Sequence, residues 1–229
     1  MKRVVIIQGK PGSGKGTQAN LLSWAKGFFH FDTGKEVEWI VHDPHKQSDP
    51  IIQRERILWD GGKLMTPEWV LNFVTTKVQE IAKAGLSVVF SGSPRTLFEA
   101  FGDKNTPGLI QTLEKSYERE NIFFIFLDVH SDASIFRNTN RKVCSICKIP
   151  VLANHPGDKC PICAGQLYKR VLDTPETIKV RLEEFENRTK PIIEELGKHN
   201  YSVNKISGES MPFEVHQKVL KILGYEMRK

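Results

Sequence analysis

Four runs of consecutive apolar or β-prone residues punctuate the chain: RVVIIQ from residue 3, LSVVFS from 86, IFFIFLDV from 122 and YSVNKIS from 201, with a shorter FFHF at 28–31. Apolarity that is continuous rather than alternating predicts strands buried on both faces. Helix-like segments separate them. In the clearest, Thr66-Pro67-Glu68 opens WVLNFVTTKVQEIAKAG, with Thr66 predicted as the cap, Pro67 in the first turn and Gly85 as the stop. Alternating strands and helices predict a parallel α/β sheet. Two regions break the alternation and read as inserts on a core: residues 33–65, polar and helix-like, and residues 142–170, rich in Cys, Pro and Gly.

The first run hands over to QGKPGSGKGT and then to a helical pattern. Gly9, Gly14 and Lys15 have the spacing of a phosphate-binding loop, in which glycines let backbone N–H groups face phosphates and the lysine reaches the terminal ones. The candidate nucleotide-binding residues are therefore Gly12, Ser13, Gly14, Lys15, Gly16 and Thr17. Because Gly16 follows the lysine and the hydroxyl is delayed to Thr17, direct hydroxyl ligation of magnesium is not expected. A second run, VVFSGSPRT at 88–96, ends where such a protein often carries an acid that organises the metal of a bound triphosphate. Here that residue is Ser91.

All four cysteines lie in two Cys-x-x-Cys knuckles, Cys144 with Cys147 and Cys160 with Cys163. That spacing predicts a closed tetrathiolate site for structural Zn2+, with a redox dithiol or structural disulfides as rival readings. His155 lies between the knuckles but is not needed to fill the shell. At 229 residues and 39% hydrophobic the chain can bury one sizeable core. The net charge of +6 is spread among interspersed acids and bases, without a basic tail, so it fits a phosphate-rich small ligand as well as a nucleic acid. No run is long enough to span a membrane and no signal-peptide pattern opens the chain, so a cytoplasmic protein is expected.

The delayed loop Gly-x-Pro-Gly-x-Gly-Lys-Gly-Thr-Gln resembles that of the adenylate kinase family of nucleoside monophosphate kinases, and the resemblance extends along essentially the whole chain. DTGK at 32–35, GGKLMTPEWV at 61–70, SGSPRT at 91–96 and FRNTNRK at 136–142 resemble further family motifs in the family's order. The resemblance implies a three-layer P-loop α/β fold with a central parallel sheet of about five strands. Its core would comprise 1–32, 66–141 and 171–229, with a monophosphate-binding insert at 33–65 and a zinc-bearing lid at 142–170. It also implies reversible phosphoryl transfer from ATP, carried with Mg2+, to a nucleoside monophosphate, AMP by default. A monomer is expected, with no nucleic-acid or membrane partner.

Residue by residue, the resemblance implies catalytic charges at Lys15, Arg95, Arg141, Arg170, Arg181 and Asp173. It places Arg137 on the donor base and Thr33, Gly34 and Glu99 toward the monophosphate. Four positions depart from the family pattern. Ser91 replaces an acid, and Leu172 replaces one of a pair beside Asp173. Glu38 stands where an arginine faces the monophosphate, so either it turns outward and Lys35, Arg54 or Arg56 supplies the charge, or the monophosphate site is altered. Glu99 replaces a glutamine. A carboxylate there can only accept, which suits guanine's two donors, unless it points into solvent. Two alternatives therefore stand beside an adenylate kinase: a guanine-type kinase and a non-catalytic nucleotide sensor.

Overall fold

The computed structural model describes residues 3–170 and 172–225. The implied start of the returning core, residue 171, lies outside them, as do the two ends. Five parallel strands form the central sheet: β1 (Val4–Gly9), β2 (Phe29–Phe31), β3 (Val88–Phe90), β4 (Ile122–Asp128) and β8 (Val203–Ser207), in the order β2-β3-β1-β4-β8. Residues of each strand alternate between the two faces. On one face Val4, Ile6, Phe90 and Phe124 join a core with helices α4 (Pro67–Lys83), α6 (Leu109–Tyr117) and α9 (Lys190–Lys198). On the other, Val5, Ile7, Val89 and Ile125 pack with α1 (Lys15–Lys26) and α10 (Pro212–Ile222). Each such side chain contributes about 1.5–3 kcal/mol when buried, so continuous apolar strands require covering on both sides, and the three layers follow.

Between β2 and α4, residues 33–65 fold as α2 (Thr33–Val41) and α3 (Pro50–Asp60). Buried Val37, Val41 and Ile52 are joined there by Glu55, which is wholly buried. Its carboxylate accepts from Thr66 N–H at 2.8 Å, Thr66 Oγ1 at 2.6 Å and Arg54 Nε at 2.8 Å. Thr66 therefore precedes α4 as expected, but its hydroxyl is spent on Glu55 and makes no side-chain cap. Pro67 does open the helix and Gly85 lies just past its end.

Residues 142–169 form a separate antiparallel sheet of β5 (Lys142–Cys144), β6 (Pro150–Val151) and β7 (Leu167–Lys169), ordered β6-β5-β7. It follows α7 (Ser131–Asn140), and α8 (Pro175–Glu184) continues through a π-helical turn, Phe185–Thr189, into α9. The turn brings buried Thr189 to Arg95, whose carbonyl accepts its hydroxyl at 2.9 Å.

Candidate active site

The phosphate loop leaves the C-terminal end of β1 and enters α1. Gly14 has φ +96°, and Gly12 has φ +77° with Asn138 Nδ2 only 2.5 Å from where a Cβ would stand, so neither position admits another residue without strain. Lys15 Nζ folds back to donate to Gly9 O at 2.7 Å and Lys10 O at 2.8 Å. Burial, followed by repulsion from Arg95, Arg181 and Arg141, holds Lys15 well below the ordinary lysine value, and Asp32 opposes them.

The loop opens on a cavity of about 1190 Å3, larger than the roughly 300–1,000 Å3 of a pocket for one small ligand. Gly12, Ser13, Gly14, Lys15, Gly16 and Thr17 line it, as do Arg137, Gly34, Arg95, Arg141, Arg170 and Arg181. Arg137 donates to Gly208 O at 2.8 Å and Glu209 O at 3.2 Å, which anchors its guanidinium at the rim.

Asp173 organises the arginines from behind. Its carboxylate takes both Arg141 Nε at 2.8 Å and a terminal nitrogen of Arg141 at 2.5 Å, a bidentate fork, and lies 3.3 Å from Arg181. Burial and then repulsion from Arg141, Arg95 and Arg170 lower Arg181 to about 9 against the pull of Asp173. The guanidinium still carries its charge near neutrality. Burial also lowers Arg95, with Glu99 and Asp32 opposing.

The four cysteine sulfurs lie within 4.8 Å of one another, with Cys144 and Cys163 3.4 Å apart and Cys147 and Cys160 3.7 Å apart. A tetrahedral zinc with Zn–S near 2.3 Å would hold its sulfurs about 3.8 Å apart, so the cluster fits the metal. Amides approach the sulfurs as well: Ile146 N–H donates to Cys144 and Ile162 N–H to Cys160. Burial would raise the Cys144 thiol, yet the amides of Cys147 and Ile146 bring it down to about 6. Cys147 is pushed up to about 12 although an Ile149 amide favours its thiolate, because burial and the neighbouring sulfurs favour the neutral form. Four thiolates together therefore call for a cation. His155 stays out of the shell and meets Lys159 O at 3.1 Å.

A sequence model of the adenylate kinase family matches residues 7–201. The adenylate kinase of Caldicellulosiruptor saccharolyticus is 31% identical over 97% of this chain and 99% of its own length. That of Syntrophotalea carbinolica is 34% identical over 82% and 84%, and that of Chlamydia pneumoniae 30% identical over 96% and 97%. The chain belongs to the adenylate kinase family. It is thus a nucleoside monophosphate kinase, exchanging a phosphoryl group between ATP and a nucleoside monophosphate.

Against that family pattern, three of the residues singled out in the sequence stay out of the cavity wall. Asp173 acts through Arg141 and Arg181. Thr33 is buried, its hydroxyl without a protein partner among the described residues. Glu99 is 3% exposed, which corrects the expectation that it points into solvent, and it is not among the residues lining the cavity. Its carboxylate accepts from Arg95 N–H at 2.9 Å and Thr96 Oγ1 at 3.1 Å, while Glu99 N–H donates to Thr96 Oγ1. This is close to a capping box around the short helix α5 (Leu97–Phe101). Burial raises the Glu99 carboxyl, with the Arg95 amide, Thr96 and the Arg95 charge opposing.

Glu38 does line the cavity, 4.0 Å from Arg170. Of the charges expected to stand in for the missing arginine, Arg54 pairs with Glu55 at 2.7 Å and Arg56 with Gln47 and Asp60, and neither is in the wall. Lys35 is. The wall also contains three side chains that sequence reasoning passed over: Asn20, His30 and Asp32. His30 Nδ1 meets Asn20 Oδ1 and Nε2 meets Ser91 Oγ, each at 2.8 Å. Asp32 was named in the sequence only as the first residue of the DTGK segment, and nothing there singled out Asn20 or His30.

No helix among the described residues is long and apolar enough to cross a membrane.

Proposed function

We propose that this chain moves the terminal phosphoryl group of ATP reversibly to AMP, as a cytoplasmic monomer. The observation that carries the reading is a single cavity joining Lys15 of the phosphate loop to four arginines from separate elements: Arg95 after β3, Arg141 at the end of α7, Arg170 after β7 and Arg181 in α8. Phosphoryl transfer needs little covalent assistance and depends on positioning and on cations around the moving charge. Loop amides from Gly12 to Thr17 receive the donor phosphates, and Lys15 follows the transferring group. The arginine forks grip phosphate oxygens on both nucleotides, and Arg137 lies against the donor base. Magnesium arrives with ATP and neutralises its phosphate oxygens. Closure of residues 142–170 and 33–65 over the substrates would exclude water that could otherwise accept the phosphoryl group.

The choice of AMP rests on the relatives named adenylate kinase and on the engagement of Glu99 by its own turn, which removes the reason to favour guanine. A coupled assay with ATP, magnesium and a panel of monophosphates tests the proposal. AMP should give the highest kcat/KM, and a higher value with GMP would overturn the choice of acceptor.

A further inference from the structure

Ser91 leaves unanswered where the carboxylate that organises the metal has gone. The sheet register supplies a candidate one strand away. Strands β2 and β3 run parallel with Phe31 opposite Phe90, so the next residues, Asp32 and Ser91, emerge side by side at the same C-terminal edge. Both line the cavity that contains Lys15. Asp32 stands at the N-cap of α2, where an aspartate normally accepts from the first-turn amides, yet its side chain makes no such bond. Its nearest ionic partner, Lys35 Nζ, is 3.8 Å away, beyond hydrogen-bond distance. The carboxylate is therefore in the wall with its acceptor capacity largely unspent.

Ser91 is held in a complementary way. With Asn20 Oδ1 accepting, His30 carries its proton on Nδ1, so Nε2 accepts from Ser91. The serine's proton is thereby committed to His30, and its remaining lone pairs are what it offers to the cavity. A carboxylate and an acceptor-only hydroxyl side by side match the chemistry of a hydrated divalent cation, whose bound waters are donors.

We propose that Asp32 is the carboxylate that holds magnesium's water shell in this chain, taking the place of the family's acid at position 91, with Ser91 kept beside it as an acceptor by His30 and Asn20. The inference rests on the phosphoryl-transfer reading only for the identity of the nucleotide, and its test is a binding measurement. ATP affinity is measured by calorimetry at rising magnesium for the wild type, Asp32→Asn and the exchange variant Asp32→Ser with Ser91→Asp. Loss of an outer-sphere partner costs a metal site about tenfold to a hundredfold, so Asp32→Asn should lose about tenfold or more of the magnesium-dependent gain in affinity. The exchange variant should recover most of it. If Asp32 merely balances the nearby cations, Asp32→Asn will bind ATP more tightly without magnesium and keep the wild-type magnesium dependence, which overturns the proposal. An exchange variant as deficient as Asp32→Asn overturns the equivalence of the two positions. Imidazole 15N spectra provide a second measure: His30 should be protonated on Nδ1, and protonation on Nε2 removes Ser91 as an acceptor. A wild type that transfers no phosphoryl group, but whose magnesium-dependent ATP affinity falls in Asp32→Asn, would sink the proposed function and leave this inference intact.

Discussion

The part of the cavity assigned to the donor and the part assigned to the acceptor follow different rules. Around the donor, the cations that the resemblance implied, Lys15, Arg137, Arg141, Arg170 and Arg181, all line the wall. These cations are crowded: Lys15 and Arg181 are both lowered by burial and by one another's neighbours. Around the acceptor, Glu38 replaces an arginine and faces Arg170, and Glu99 is engaged by the cap of its own helix. A triphosphate with its metal imposes the same charge requirement on any donor site. The acceptor side can meet its requirement with different residues, provided the total charge near the monophosphate remains favourable. Substitutions should therefore be costly on the donor side and adjustable on the acceptor side.

The strongest test is Lys15→Met. Removing a preorganised cation from the reacting centre should lower kcat by about a hundredfold to a thousandfold, and near wild-type initial rates would refute the assignment of the donor side. The same change relieves repulsion among buried cations, so the empty protein should become slightly more stable, by about 1 kcal/mol, in urea unfolding.

Zinc removal comes next. In residues 142–170 the buried apolar cluster is small, with Leu167 beside Cys144 and Cys160. One such side chain supplies about 1.5–3 kcal/mol, while ordering the backbone costs roughly 1–2 kcal/mol per residue. A metal held by the four cysteines would make up the difference. Elemental analysis should find about one zinc per chain, and chelation should lower the Tm and expose residues 142–170 to protease. Insert 33–65, held by Val37, Val41, Ile52 and the Glu55 network, should resist protease equally well with or without chelator. If the two inserts open together on chelation, the contrast in their stabilisation fails.

On the acceptor side, Glu38→Arg should restore a cation where a carboxylate now faces the ligand. A hydrogen bond between charged groups contributes about 1.5–3 kcal/mol, so the KM for AMP should fall by about tenfold or more, with the KM for ATP little changed. An unaltered AMP KM would mean that position 38 does not face the monophosphate.

Much of this architecture was readable in the chain. Continuous apolar runs gave the five parallel strands because a strand covered on both faces has no polar side to display, and the cysteine spacing gave the cluster of four convergent sulfurs. Tertiary pairing hid the rest. Asp32 and Ser91 are neighbours only through the register of β2 with β3. Glu38 and Arg170 meet only when the two inserts face one another. Thr66 was read as a cap because nothing local announces that Glu55 is buried against it. For Glu99 the local sign was present: Thr96 followed three residues later by Glu99 is the pattern of a capping box, and the resemblance drew attention to base recognition instead.

The smallest effect is expected from Glu99→Gln, and it decides between service to the turn and contact with the base. If the carboxylate serves the turn, glutamine keeps one acceptor oxygen for the Arg95 amide, and the ratio of AMP to GMP activity should not move. Were the side chain instead to contact the base, exchanging a pure acceptor for a group that donates and accepts would shift that ratio strongly toward adenine. Stability offers a second measure. Burial raises the folded-state carboxyl above its unfolded value, so just above the ordinary carboxyl pKa the folded protein binds more protons than the unfolded one. Wild-type stability should therefore fall as pH rises through that window, because ionising a buried carboxyl is more costly than ionising an exposed one. Glutamine does not titrate, so the stability of the variant relative to wild type should increase with pH over the same range. A difference independent of pH would mean that Glu99 ionises in the folded protein as freely as in the unfolded chain, its hydrogen bonds to Arg95 and Thr96 fully offsetting burial.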